Sequence, residues 1–93
     1  MTFAIGDHQF DHVTYDPGGD VLYLRSGESR PAADVYGTPE GHAVRFDQHG
    51  SVIGITIVNA RWLVEEEGKI TITVPSRIET SARELGPLLA AGA

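Results

Sequence analysis

A chain of 93 residues, 41% hydrophobic and 22% charged, has the composition of a single globular domain with a modest core. It has no cysteine, which excludes a disulfide scaffold, cysteine-ligated zinc, iron–sulfur clusters and thiol catalysis. Its formal net charge of −6 makes nucleic acid a disfavoured partner, because an acidic surface repels phosphate backbones.

Residues 1–7 have neither a basic n-region nor an apolar h-region, and no later stretch approaches the roughly 18 uninterrupted apolar residues of a membrane span. A soluble cytoplasmic protein without membrane contact is the expectation. In chain order, the pattern predicts a short strand over 2–5, a tight turn at Gly6-Asp7-His8 and a return strand over 9–15. A first hairpin continues into a strand over 21–25. Residues 26–31 read as a loop by composition, 33–36 as a brief strand and 37–41 as a turn. A second hairpin covers 42–46 and 52–58.

The two hairpins are copies of one pattern, spanning 13–24 and 44–55. Val13, Asp16, Gly19 and Val21 recur as Val44, Asp47, Gly50 and Val52, while Tyr15, Leu22 and Leu24 recur as Phe46, Ile53 and Ile55. The centre of each copy has turn chemistry: an aspartate first, to accept backbone N–H bonds, and a glycine fourth, where the chain often swings to positive φ. Asp16, Pro17, Gly19, Asp47 and Gly50 are therefore read as structural turn residues, and Asp16 and Asp47 as turn starters rather than an acid–base or metal-binding pair.

Past Asn59, two readings compete. Residues 61–64 could open a short helix, with 59–64 helical. We favour a third hairpin, because Ile70-Thr71-Ile72-Thr73-Val74 alternates strictly and Glu65-Glu66-Glu67-Gly68 resembles a solvated tip. Pro75 would end that strand. A C-terminal helical segment is expected over 79–93, opened by a Ser81–Glu84 capping box. Pro87 should split it or start it, Leu85, Leu88 and Leu89 should dock on the sheet, and residues 90–93 should fray. The fold class is α+β, mainly β: an antiparallel sheet or partly open barrel of successive β-hairpins, about five to seven strands, with a short C-terminal helix. The expected core is Val13, Tyr15, Leu22, Leu24, Val44, Phe46, Ile53, Ile55, Ile57, Trp62, Ile70, Ile72 and Val74. Gly54, inside a strand, should mark a bulge or the close approach of another backbone or an aromatic ring.

The segment from Tyr15-Asp16-Pro17-Gly18-Gly19-Asp20 through Val21-Leu22-Tyr23-Leu24, followed by Asp47, Gly50 and Gly54-Ile55-Thr56-Ile57, resembles the DUF2283 family of small β-rich prokaryotic proteins. The likeness runs over roughly residues 10–74. This chain has Thr56 where the family pattern commonly carries an acid, and Asn59-Ala60 where it commonly carries Asp-Ala. The family's function is unknown. The resemblance implies a fold and, through members found beside small toxin-like genes, an antitoxin-like, partner-neutralising role.

Few residues suggest chemistry. His8 and His12 stand four apart, but on a strand that is about 13 Å, too far to share an ion. His42, His49 and His12 are the residues a metal would have to recruit, with nearby carboxylates, at a composite interface site; no cofactor is expected. Ser51 lacks a Gly-x-Ser-x-Gly setting, and Gly18-Gly19 lacks the strand–loop–helix context of a phosphate cradle. Arg61 beside Trp62 reads either as a cation–π platform or as arginine covering a core tryptophan. Arg77 and Arg83 make only a minimal basic patch on an acidic protein. The acids crowd into residues 1–50, eight against Arg25, Arg30 and Arg45, which would suit a basic protein partner. The leading expectation is a non-catalytic module that forms a homo-oligomer through an exposed sheet edge or the C-terminal leucines. The alternatives are the antitoxin-like protein and a small metal- or ligand-dependent enzyme.

Overall fold

The computed structural model describes residues 3–5, 8–27, 31–73 and 78–91. The expected turn at Gly6-Asp7, the strand end at Pro75, Val74, Arg77 and the final two residues lie outside these. Strand β1 (Phe3–Ile5) pairs antiparallel with β2 (His8–Phe10) as a ribbon of its own. The chain then enters β3 (His12–Asp16) and β4 (Val21–Arg25), the first repeat hairpin. After β5 (Asp34–Gly37) come β6 (Ala43–Phe46) and β7 (Val52–Val58), the second. Together they form one antiparallel sheet in the order β3-β4-β7-β6-β5. The two hairpins lie side by side, joined through β7, which pairs with β6 of its own hairpin and with β4 of the first.

The fold is mainly β, as the alternation implied, and its principal antiparallel sheet has five strands. The two small ribbons bring the described residues to nine strands, and β3 and β5 do not pair with each other, so the sheet stays open. Local expectations change. The single return strand over 9–15 is broken at Asp11. There, exposed Asp11 and His12 stand side by side and interrupt the alternation, so Phe10 and Tyr15 bury in register with different neighbours.

The favoured third hairpin over 61–74 does not form. Residues Ala60–Glu67 are helix α1, and the glutamates are its last turn rather than a hairpin tip. Ala60 is buried and Leu63 and Val64 pack on the core, at the i, i+3, i+4 spacing of one helix face. That spacing turns Trp62 outward, 55% exposed, which removes it from the core. Gly68 stops the helix at φ 74, donating its N–H to the Val64 carbonyl. Strand β8 (Lys69–Ile72) then pairs with β9 (Ile78–Ser81), so the C-terminal helix begins at Ala82 and not at 79.

That helix, α2 (Ala82–Ala91), runs unbroken through Pro87, contrary to the expected split. Its capping box is present: the Ser81 N–H donates to Glu84 Oε1 (3.2 Å) and the Glu84 N–H donates to Ser81 Oγ (3.3 Å). Buried Leu85 and Leu89 hold both sides of the proline against the core, which offsets the missing i−4 bond. The core under the helices comprises Tyr15, Leu22, Leu24, Val44, Ile55, Ile57, Ile70 and Ile72. Ile5, Phe10, Ala60, Leu85 and Leu89 join it from the flanking elements, and Val13 and Phe46 line its margin.

Candidate functional site

Three polar assemblies stand out. At the first, Asp20 follows a turn that is already complete, and the backbone there enters the left-handed region at φ 54. The expected swing at Gly19 thus falls one residue later. At Gly19 a Cβ would come within 3.1 Å of Asp16 Oδ2, the end of an exposed side chain that can give way. The conformation of Asp20 aims it at the start of α1. Its carbonyl accepts from the Ala60 N–H (3.1 Å), its Oδ1 from the Arg61 N–H (2.7 Å), and its Oδ2 from the Trp62 N–H (3.1 Å). Asn59, the residue in the N-cap place, is left-handed and makes no side-chain capping bond. Asp20 thus caps, from another hairpin, the donors a helix start leaves open.

The Tyr15 hydroxyl also donates to Asp20 Oδ1 (2.7 Å), and the Arg61 guanidinium lies 5.3 Å over the Tyr15 ring while donating to the Leu89 carbonyl (3.0 Å). Arg61 therefore stacks on Tyr15, not Trp62, and neither earlier reading of the Arg61–Trp62 pair holds. Partial burial alone would raise the Asp20 carboxyl. The Tyr15 hydroxyl, the two N–H groups and the Arg61 charge outweigh it and hold it below the usual carboxylate range. The Tyr15 hydroxyl is pushed up by burial and by donating a hydrogen bond to the Asp20 carboxylate. This cluster joins sheet and helices, and Tyr15, Asp20 and Arg61 each make a structural bond in it.

The second assembly holds His42, buried beneath the β5–β6 turn. Its Nδ1 accepts from the Val58 N–H (3.1 Å), so the ring carries its proton on Nε2, and its own N–H donates to Thr38 Oγ1 (3.0 Å). Glu40 is bound to Thr73 through the backbone N–H (3.2 Å) and the hydroxyl (2.8 Å). Burial pushes the His42 imidazole below its ordinary value, with Glu40 opposing weakly. A native state that holds His42 neutral binds fewer protons than the unfolded chain below about pH 6.5. Stability should therefore fall as pH drops from about 7.5 toward 5.5 and level off below the depressed value. His42→Asn, which keeps an acceptor for Val58, should flatten that limb of a urea-midpoint-against-pH curve. An unchanged slope would remove His42 as its source.

His49 sits at the exposed tip of the second hairpin, where its N–H and that of Ser51 donate to Asp47 Oδ1 (2.8 and 3.0 Å). The Gly18 N–H does the same to Asp16 Oδ1 (3.0 Å). His12 lies on β3. The fold thus disperses His12, His42 and His49, and among the described residues no three histidines or carboxylates are grouped to hold a metal.

The third assembly is the sheet face turned away from the helices. Register places His12, Arg25, Gly54, Arg45 and Val35 in one row across all five strands, and Thr14, Tyr23, Thr56, Ala43 and Gly37 in the next. Because side chains alternate, these rows point away from Val13, Leu24, Ile55 and Val44 of the core. The face contains a cavity of about 370 Å³ lined by Asp11, His12, Thr14, Tyr23, Arg25 and Arg45, among others. Arg45 reaches it across Gly54, where a Cβ would stand 3.3 Å from Arg45 Nε and 3.2 Å from the Leu24 carbonyl oxygen. Gly54 therefore does mark a close approach, by a guanidinium and a carbonyl rather than an aromatic ring. A bulge stands beside it: Arg45 pairs with Gly54 and Phe46 with Val52, which leaves Ile53 unopposed. Asp20, Arg25 and Arg45 were not picked out from sequence. Asp20 could have been noticed as an acid unaccounted for by a finished turn, and Arg25 and Arg45 as two of only three bases in the acidic half.

Fold and surface together define a small, open-faced antiparallel sheet protein, closed by helices on one side. Its central strands and the capped start of α1 form a shared unit. The chain matches, over residues 12–61, the family described as "Protein of unknown function (DUF2283)", and the protein belongs to that family. The matched segment is shorter at both ends than the likeness read from the motifs; it contains the five-stranded sheet and ends at Arg61. No curated protein and no solved structure matches the chain.

Proposed function

We propose that the protein is a non-catalytic interaction module that self-associates by pairing its β5 edge with β5 of a second copy. The observation that supports this is the character of that strand. All four residues of β5 are exposed, with Val35 58% and Tyr36 48% accessible, and among the described residues it pairs only with β6. At the other end of the sheet, α2 packs against β3. An apolar, unpaired edge is a template for strand addition unless something blunts it.

The ladder shows which groups would pair. The Thr38 N–H donates to the His42 carbonyl (2.7 Å), and hydrogen-bonded pairs alternate along an antiparallel ladder, so Tyr36 and Asp34 bond inward to β6. Val35 and Gly37 turn their N–H and C=O outward. Val35→Pro therefore removes an outward donor without touching the β5–β6 bonds. Native mass spectrometry of the full chain should show a homodimer, and Val35→Pro should shift it at least about tenfold toward monomer, the loss of one or two hydrogen bonds made twice by symmetry. A wild-type monomer at high micromolar concentration would sink the reading. Co-purification of a basic polypeptide would instead favour the partner-neutralising alternative. A cytoplasmic location belongs to the same proposal, supported by the lack of cysteine; no described helix is long and apolar enough to cross a membrane.

A further inference from the structure

The outer-face cavity joins features that the self-association reading does not use. Arg25 and Arg45 flank Gly54 from strands on either side of β7, with their backbones about 10 Å apart by strand spacing. The missing side chain at 54 leaves a notch between them, and Arg45 lies along it. Arg45 Nε is buried and has no hydrogen-bond partner among the described residues. A buried guanidinium donor without an acceptor is costly, and a bound acceptor is one way to satisfy it.

The nearby acid does not neutralise the pair. Asp11 accepts from the Gly27 N–H (2.9 Å), and this bond, against the opposing effect of burial, holds its carboxyl below the usual range; Arg25 adds only a weaker, through-space attraction. Neither Arg25 nor Arg45 forms an ion pair with a described carboxylate. The cavity wall adds Thr14 and Thr56, which carry hydroxyls, and Tyr23, which is 46% exposed. The local field is thus cationic on a chain of net charge −6.

We propose that this notch binds a small phosphate monoester, with the phosphate between Arg25 and Arg45 and its organic group against Tyr23. Two guanidiniums approaching from opposite sides suit a tetrahedral oxyanion, whose terminal oxygens can face both forks. A planar carboxylate is satisfied by one. The hydroxyls of Thr14 and Thr56 can donate to remaining oxygens. A polymeric phosphate backbone is disfavoured, because it would run past the surrounding surface acids, which repel it at close range.

The test is NMR of the arginine Nε–H groups in the full chain, titrated at constant ionic strength with inorganic phosphate, phenyl phosphate and acetate. Inorganic phosphate should move the Arg45 Nε–H resonance saturably, and phenyl phosphate should do so at lower concentration. Arg25→Gln and Arg45→Gln should each weaken binding at least about tenfold, and Arg45→Lys should not restore it. Arg25→Gln leaves the buried Nε in place, so it keeps the test alive if Arg45→Gln does not fold. A response to acetate equal to that of phosphate, an undiminished response in Arg25→Gln, or no saturable shift with either phosphate would each overturn the proposal. Because the readout is ligand-induced and monomer-scale, its failure is distinct from a failure of dimerisation.

Discussion

Asp20→Ala should lower the free energy of unfolding by about 2–4 kcal/mol, the largest loss expected from any single polar side chain among the described residues. The side chain accepts two backbone N–H bonds from the start of α1 and the Tyr15 hydroxyl, all as a carboxylate. Alanine leaves those three donors without it, and it also fits the left-handed backbone at 20 less well than aspartate does. An eight-residue helix has little stability of its own, so α1 depends on this cap and on its packing. For a domain worth about 5–15 kcal/mol, that loss is a large fraction of the total. Asp20→Gly relieves the backbone but not the missing acceptor, and Asp20→Asn keeps one neutral acceptor. The expected order of urea midpoints is therefore wild type, Asn, Gly, Ala. The carboxylate also has an acid signature. Its folded value is depressed, so its contribution is complete above an unfolded value of about 3.9 and disappears as pH falls through the folded one. The Asn variant should lack that part of the acid limb. An Ala variant within about 0.5 kcal/mol of wild type would mean that Asn59 or water replaces the cap.

The same residue shows why the region after Asn59 resists reading from sequence. Residues 61–67 were assigned to a hairpin because a run of three glutamates before a glycine looks like a tip. What starts the helix, beside its apolar face at Ala60, Leu63 and Val64, is an aspartate some forty positions earlier, delivered by the fold to its N–H groups. Local pattern carries no trace of such a contact. The hairpins themselves were legible, since turn chemistry and alternation are both local, and so was the Ser81–Glu84 capping box. Sheet order was not: that β7 inserts beside β4 follows from which faces complete the core, a property of all the strands at once. The open face fell between these cases. Gly54 announced that something approaches it, but Arg45 and Arg25 become its neighbours only once register is set. A strand arginine among acids reads otherwise as a solvated side chain.

Gly54→Val should cost about 1–3 kcal/mol and abolish the phosphate response of the Arg45 Nε–H, although valine is the better strand residue. Gly54 has an ordinary extended backbone, so any loss comes from contacts and not from conformation. A Cβ would sit 3.2 Å from the Leu24 carbonyl oxygen, which belongs to a paired strand and cannot move cheaply, and 3.3 Å from Arg45 Nε, which can. The branched methyls of valine extend the clash along the guanidinium and drive it out of the notch. The two obstacles can be separated. Gly54→Ala meets the carbonyl almost as closely but displaces the arginine less, so it should lose stability while retaining a weakened phosphate response. Arg45→Ala added to Gly54→Val should recover part of the stability and none of the binding. If Gly54→Val is as stable as wild type and still answers phosphate, Arg45 does not lie in the notch in solution, and the outer face is a plain solvated surface. If stability falls but binding persists, the anion contacts Arg25 without Arg45, and the site must be redrawn toward His12 and β3.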